Sequence, residues 1–166
     1  MTNENTNYVN YLIDLSQRGR KNAFFDLCEI NLRTIFTLSY RLTSNYKLAQ
    51  EVTLSSFKEA LDEIKSYSNR ESFVVWLMKI TVKKTVQALN ENEFVDKDFS
   101  EKRENLAEIE RLILNLPAME RVVFVLHDLS GFSIKEIINY FQGYSEDDIK
   151  TKLLETRYKL MNGLGI

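Results

Sequence analysis

Apolar residues recur at the spacing of an α-helix through most of the chain. In residues 8–18 the apolar positions are Tyr8, Tyr11, Leu12 and Leu15, which fall on one side of a helix. Because polar turn formers and short connectors separate successive apolar stretches, the first part of the chain is expected to form an antiparallel four-helix bundle. The same period predicts its three longer helices, over about residues 21–42, 47–67 and 72–89.

Residues 90–104 break this pattern. Nine of these fifteen residues are charged, six acidic and three basic, and no apolar period is present. A segment of this composition buries too little apolar surface to offset the entropy of ordering it. We therefore predict a flexible charged linker at 90–104, which separates a first domain at 1–89 from a second domain at 105–166.

The helical period returns in the second domain. One helix is predicted at about residues 105–114, and Pro117 suits the start of another at 118–129. Ser133 and Glu136 have the spacing of a capping box, which predicts a further helix start. The apolar side of that helix is expected to reach Phe141.

A short turn containing a glycine follows this helix. Gly143 makes the turn, and Ser145 is the expected N-cap of a last helix with Ile149, Leu153 and Leu160 on its apolar side. Two helices joined by such a turn form the helix-turn-helix pattern, whose second helix commonly enters the DNA major groove. The alternative is an ordinary small helical bundle, since the pattern alone is not specific.

Composition agrees with helices and leaves the partner open. Hydrophobic residues make up 44% of the 166 residues, and one Pro with five Gly favours helices over many short strands. Trp76 and Phe124 are expected in the cores of the first and second domain. The net charge of −2 gives no overall support for nucleic-acid binding, which usually requires a basic surface.

Other sequence features exclude several classes. Cys28 is the only cysteine and cannot form an internal disulfide, the N-terminus lacks an apolar signal core, and no run is long enough to span a membrane. A cytoplasmic protein without membrane insertion is the expectation. His127 is the only histidine, and no catalytic or metal-ligand spacing stands out. We therefore expect neither an enzyme nor any metal, cofactor or small-molecule substrate.

Several motifs occur in the order and spacing of a known family. In the first domain these are Gly19, Ala23-Phe24, Ser44-Asn45, Ala49, Gln50-Glu51-Val52-Thr53, Phe57, Trp76-Leu77 and Ile80-Thr81. In the second domain they are Leu116-Pro117, Arg121, Phe124, Leu126, Gly131, Ser133, Glu136-Ile137, Ser145, Ile149-Lys150, Leu153, Arg157 and Leu160. The chain resembles bacterial RNA polymerase sigma factors of the extracytoplasmic-function (ECF) type from about Leu12 to Leu160.

This resemblance implies a fold, partners and sites. The fold is all-α, with an N-terminal four-helix sigma region 2-like bundle and a C-terminal helix-turn-helix sigma region 4-like domain. The implied partners are core RNA polymerase and promoter DNA, and an anti-sigma factor is a further candidate. Polymerase would be bound by Gln50, Glu51, Leu54 and Ser55. The downstream promoter element would be bound by Tyr67, Lys79, Lys83 and Gln87, and the upstream element by Ser145, Lys150, Thr151, Lys152 and Arg157.

The chemistry of these side chains is compatible with DNA contacts, and each also has a purely structural explanation. Lysines such as Lys79 and Lys83 can contact phosphates, while an amide such as that of Gln87 can reach base edges. An ordinary solvated helix face explains the lysines equally well. Tyr67 and Phe73 flank a connecting loop and could stack on an unpaired base, although packing in the core is the preferred reading for Phe73.

Three functional hypotheses remain. The first is a sigma factor that directs transcription initiation at specific promoters. The second is a degenerate sigma-like protein that acts through protein–protein interaction without promoter reading, because Glu146, Asp147 and Asp148 occupy the first turn of the expected reading helix. The third is a stand-alone repressor or activator that uses the helix-turn-helix as a dimer.

Overall fold

The computed structural model describes residues 3–91, 106–141 and 143–165, and these residues form helices and turns without a strand. The predicted all-α class is confirmed. The first unit contains α1 (Asn3–Gln17), α2 (Lys21–Thr43), α3 (Tyr46–Glu63), a 3₁₀ turn (Ile64–Ser66) and α4 (Phe73–Glu91). The second unit contains α5 (Glu108–Asn115), α6 (Ala118–Phe124), a π-helical turn (Val125–Leu129), α7 (Ile134–Ile138) and α8 (Glu146–Leu164).

The junction between α2 and α3 is a tight turn with local causes. Ser44 adopts a left-handed conformation, with φ at 55°, and ends α2. The side chain of Asn45 then accepts a hydrogen bond of 2.8 Å from the backbone N–H of Leu48, which starts α3. The polar residues at this junction therefore end one helix and begin the next.

The third helix is shorter than its apolar pattern predicts. It was expected to reach about residue 67, but α3 ends at Glu63 and continues as a 3₁₀ turn. Gln17 of α1 donates from Nε2 to the carbonyl oxygens of Ile64 (3.1 Å) and Tyr67 (2.8 Å). A side chain from another helix thus satisfies carbonyl groups at this helix end.

Two apolar clusters hold the described residues together. The first lies inside the four-helix bundle and is formed by Leu12, Ile13, Ala23, Phe24, Leu27, Ile35, Ala60, Ile64, Tyr67, Phe73, Leu77 and Ile80. The second cluster has fifteen buried residues. It joins Leu38, Leu42 and Val82 of the bundle to residues of the second unit that include Val122, Phe124, Leu126, Ile137, Ile149 and Leu153. The second unit therefore packs against α2 and α4 through shared apolar contacts.

The two aromatic residues expected in separate cores differ in burial. Phe124 is 9% exposed and belongs to the second cluster. Trp76 is only half-buried and packs at the margin of the first cluster, where its ring lies 5.0 Å from that of Tyr67. The expected core position of Trp76 is therefore partly wrong, because the indole sits at the edge of the bundle.

Polar contacts also join the two units. Arg41 of α2 donates from Nε and Nη2 to the carboxylate of Glu110 in α5, at 2.6 and 2.9 Å. Ser44 Oγ donates to the carbonyl oxygen of Leu114 at 2.6 Å. The domain boundaries remain a prediction, and the predicted linker lies outside the described residues from position 92 onward.

Candidate nucleic-acid and protein interfaces

The helix-turn-helix has a capping box at the start of each of its helices. In α7 the backbone N–H of Ser133 donates to Glu136 Oε2 at 3.0 Å, and the N–H of Glu136 donates to Ser133 Oγ at 3.3 Å. In α8 the N–H of Ser145 donates to Asp148 Oδ2 at 2.8 Å, and the N–H of Asp148 donates to Ser145 Oγ at 3.2 Å. These reciprocal bonds satisfy N–H groups that have no partner within the helix.

These caps assign Ser145 and Asp148 a structural task. Ser145 is exposed, as a DNA contact requires, but its hydroxyl is engaged with Asp148. Hydrogen bonds from the hydroxyl and N–H of Ser145 hold the pKa of the Asp148 carboxyl below its ordinary value. One of the three acids in the first turn of α8 is therefore part of the fold, and does not by itself argue against DNA binding.

The first helix of the motif is shorter than expected. Its apolar side was predicted to reach Phe141, but α7 ends at Ile138. The N–H groups of Tyr140 and Phe141 donate to the carbonyl oxygens three residues earlier, at 3.0 and 2.9 Å. These tighter bonds convert the end of the helix into turns.

Within α8, every basic side chain lies in an ion pair with an acid of the same unit. Lys150 Nζ lies 3.2 Å from Asp147 and 3.8 Å from Glu146, and Lys152 Nζ lies 3.9 Å from Glu155. Arg157 pairs with Asp128, and Lys159 pairs with Glu120 at 2.7 Å. The cations predicted to contact the upstream element are thus accessible to solvent, and neighbouring acids partly neutralise their charge. The remaining predicted residue, Thr151, is exposed.

Arg157 is the most firmly positioned of these cations. Its Nε and Nη2 donate to the two carboxylate oxygens of Asp128 at 2.8 and 2.7 Å. His127 Nδ1 lies 2.7 Å from the same carboxylate. The Arg157 guanidinium, ahead of His127, holds the pKa of Asp128 below its usual range, and the carboxylate raises that of Arg157. This two-pronged geometry fixes the guanidinium against the end of the π-helical turn.

The lysines of α4 have carboxylate partners as well. Lys79 Nζ lies 2.7 Å from Glu71 and 3.5 Å from Glu136, which belongs to the second unit. Hydrogen bonding to Glu71 raises the pKa of Lys79. Lys83 lies 3.1 Å from Glu59 of α3, which also pairs with Lys84. The two lysines predicted to contact the downstream element are therefore partly exposed, and both are paired with carboxylates.

Tyr67 is buried in this conformation. It was predicted to stack on an unpaired base, but its ring is 7% exposed and packs against Phe73 and Trp76. Its hydroxyl donates to the carbonyl oxygen of Glu71 at 2.6 Å. Because stacking requires an accessible ring face, Tyr67 has a structural role in this conformation. Phe73 is 4% exposed, in agreement with the core packing preferred for it.

A cavity of about 670 Å³ opens beside this aromatic group. It lies between α1, α2 and the segment that precedes α4, and its lining includes Tyr8, Asn31, Tyr67, Asn69 and Glu71. Tyr8 is 51% exposed, so an accessible aromatic ring is present at the cavity rim. An aromatic surface next to amide groups suits a flat polar ligand such as a base.

The predicted polymerase-binding residues lie along the outer side of α3. Gln50 and Glu51 are exposed, and Leu54 is 72% exposed. Ser55 is half-buried, and its hydroxyl donates to the carbonyl oxygen of Val52 at 3.0 Å. A groove of about 330 Å³ between α3 and α4 brings Glu51 and Ser55 together with Gln87. Gln87 is thus exposed at the boundary of two predicted surfaces.

Arg121 is one of the residues that carry the family resemblance, but no function was predicted for it. It is 4% exposed, and its guanidinium donates to the carbonyl oxygen of Leu116 at 2.8 Å and to that of Leu42 at 3.3 and 3.2 Å. Leu42 lies in the last turn of α2, and Leu116 is the C-cap of α5. A cation is favoured at both helix ends by the helix dipole. Arg121 therefore ties the two units together.

The described part of the chain contains no cluster of three or more His, Cys, Asp or Glu suited to a metal ion. No helix among the described residues is long and apolar enough to cross a membrane.

Comparisons with known proteins place this architecture. No protein-family model matches the chain. It is 25% identical to the ECF RNA polymerase sigma factor SigW of Bacillus subtilis (strain 168) over 176 aligned positions, which cover 89% of this chain and 92% of SigW.

Two solved structures are similar in fold. The structure of CnrH, solved in complex with the cytosolic domain of CnrY, has a TM-score of 0.65 at 20% identity and covers 95% of this chain and 97% of that one. The sigma factor RpoE, solved with the anti-sigma factor NepR from Bartonella quintana, has a TM-score of 0.59 at 17% identity and covers 86% and 97%.

The architecture is a helical bundle with an outward-facing α3, packed against a capped helix-turn-helix unit. The similarity to SigW extends through both units. In sequence the chain is thus similar to an RNA polymerase sigma factor of the ECF type, and in fold to two solved structures that include a sigma factor.

Proposed function

We propose that this chain is an ECF-type sigma factor that directs core RNA polymerase to a specific set of promoters. The observation that supports this most is that one chain carries two separate exposed surfaces, the α3 face around Leu54 and the outer face of the capped α8. The first is available to a protein, and the second has the position of a reading helix. A cytoplasmic location follows from this role, which requires no chemistry by the chain itself.

The α3 face has the chemistry of a protein contact. Leu54 projects from the helix with 72% of its surface accessible, between the polar groups of Gln50, Glu51 and Ser55. An apolar residue surrounded by polar residues is typical of the centre of an interface, where it becomes desolvated on binding. We assign this face to core polymerase.

Promoter binding is opposed by contacts between the two units. Lys79 is held by Glu71 and by Glu136 of the second unit, and Arg41 is held by Glu110. While α4 and α7 remain in contact, Glu136 competes with DNA phosphate for Lys79, so promoter binding favours separated units. Binding of polymerase and DNA would supply the free energy to break these contacts.

The test is a reconstitution with core polymerase. Leu54→Arg should weaken binding to core polymerase about thirtyfold, because loss of a hot-spot residue at the centre of an interface costs about 2 kcal/mol. The matched control is Leu32→Arg, since Leu32 is 51% exposed on α2 and lies outside the proposed face. Equal binding by both variants would remove the assignment of α3. Absence of both core binding and promoter-dependent transcription by the unmodified protein would remove the proposed function.

A second candidate function has one observation in its favour. Because the four cations of α8 are paired with acids, this helix presents little free positive charge. A sigma-like protein that acts through protein contacts alone would have such a helix. This candidate predicts no DNA binding by the holoenzyme even at low salt, where phosphate attraction is strongest.

An anti-sigma partner is a further part of the proposal. CnrH and RpoE, which share this fold, were each solved with a bound partner, CnrY and the anti-sigma factor NepR respectively. The exposed apolar residues on α1 and α2, among them Tyr11 and Phe25, offer protein-binding surface here. Isolation of the chain from its native cells, followed by identification of the bound protein, tests this proposal.

A further inference from the structure

The outer face of α8 is largely apolar. Leu154 is 64% exposed, Tyr158 is 67% exposed and Met161 is 49% exposed. Residues spaced by four and by three lie on one side of a helix, so these three form a continuous stripe. The buried residues Ile149 and Leu153 occupy the opposite side. The stripe is therefore the part of α8 that an approaching molecule meets first.

An acidic residue begins the stripe. Asp147 lies seven residues before Leu154 and thus on the same side of the helix. Its side chain is 90% exposed and lies 3.2 Å from Lys150 Nζ. Between Asp147 and Tyr158 this face carries Thr151 and no Arg, Asn or Gln.

Cations lie on both sides of the stripe. Lys150 and Arg157 are seven residues apart and lie along one flank, while Lys152 and Lys159 are also seven apart and lie along the other. A helix in the major groove has phosphates along both sides, so this arrangement of charge complements DNA. The ion pairs of Lys150 and Lys152 do not prevent such contacts, since exposed pairs are weak and exchange readily for phosphate, whereas Arg157 and Lys159 are held by the less exposed carboxylates of Asp128 and Glu120.

The chemistry of the stripe favours one class of base. In the major groove, thymine presents a C5-methyl group that suits apolar side chains, and cytosine presents an amino group that donates to Asp or Glu. Guanine is typically bound by Arg or Lys, and adenine by Asn or Gln. Resting on the function proposed above, we propose that α8 reads pyrimidines in the upstream element, with Leu154 and Tyr158 contacting thymine methyl groups and Asp147 accepting from a cytosine amino group.

The test begins with selection of DNA duplexes from a random library by reconstituted holoenzyme. Each thymine of the selected upstream element is then replaced by uracil, which removes only the methyl group. Binding should weaken about fourfold for a contacted thymine, as expected for loss of one buried methyl group. In Leu154→Ala the same replacement should have no effect, whereas Leu129→Ala should retain it, because Leu129 is exposed at 43% outside α8.

Asp147 has its own readout. Asn favours adenine where Asp favours cytosine, so selection with Asp147→Asn should replace one cytosine by adenine. Circular dichroism verifies that the variants fold, as expected for exposed positions.

The outcomes separate the reading code from the function. Sequence-specific binding that is insensitive to uracil, together with an unchanged preference in Asp147→Asn, would overturn the inference and leave the sigma-factor function intact. Selection that enriches no upstream sequence despite normal core binding would also overturn it, and would assign the stripe to a protein partner. Failure of core binding and transcription would overturn both.

Discussion

Among substitutions of charged residues, replacement of Arg121 is expected to destabilise the second unit most. The guanidinium is 4% exposed and bonds to carbonyl groups of Leu42 and Leu116, at the ends of two helices. In Arg121→Met the side chain keeps its apolar stem but loses every donor. The carbonyl groups of the buried residues Leu42 and Leu116 then lose these partners.

The magnitude follows from these bonds. A hydrogen bond to a charged group contributes about 1.5–3 kcal/mol, and a buried polar group left unsatisfied costs about 1–3 kcal/mol. These contributions overlap, so we expect a total loss of about 3–5 kcal/mol. Because a domain has only about 5–15 kcal/mol of stability, this loss would bring the second unit close to its unfolding threshold.

Two spectroscopic probes resolve where the loss occurs. Trp76 is the only tryptophan and lies in α4, so its fluorescence reports the first unit, while far-ultraviolet circular dichroism reports all helices. In urea, Arg121→Met should lose part of its helical signal before its fluorescence changes. The control is Arg111→Met, since Arg111 is exposed on α5 and should change stability by less than about 0.5 kcal/mol. A loss below about 1 kcal/mol in Arg121→Met would refute this account.

Three further outcomes are expected. Asp128→Asn should destabilise the protein by at most about 1 kcal/mol at neutral pH, because its partner Arg157 is exposed. Since the folded-state pKa of Asp128 is depressed, the contribution is present above about pH 4 and is lost as the pH falls through the lowered value, so wild type and variant should converge in acid urea titrations. Ser133→Ala should cost about 1 kcal/mol in thermal unfolding through loss of the α7 cap, while Ser66→Ala, at an exposed position, should change little. Cys28 should react slowly with thiol reagents at neutral pH, because burial raises its pKa to about 11, and unfolding in urea should restore an ordinary rate.

The helix-turn-helix could be predicted because its signals are local. Ser133 with Glu136, and Ser145 at the start of α8, carry their partners three residues away, so the sequence displays both halves of each cap. The apolar side of α8 could likewise be predicted, because its residues recur at the spacing of one helix. Even here the predicted helix extended a few residues too far, to Phe141. At the end of a helix, turn hydrogen bonds compete with helical ones.

The ion pairs between different elements could not be predicted because their members are distant in sequence. Lys79 pairs with Glu136, Arg157 with Asp128, and Lys159 with Glu120. The sequence shows the lysines and arginines on plausible faces but gives no distance to acids on other helices. For the same reason the burial of Tyr67 could not be predicted, since only the packed bundle places its ring between two other aromatic residues.

These pairs also explain why net charge is a poor guide to this protein. A balance of −2 suggests weak attraction for DNA, but association depends on which charges face the phosphate groups and which are exchanged on binding. Glu71 and Glu136 compete with phosphate for Lys79, and Glu136 can do so only while the two units are in contact. Separation of the units would therefore raise the positive potential of α4 without any change in composition. The affinity for DNA is then expected to depend on the arrangement of the two units as much as on the sequence of either.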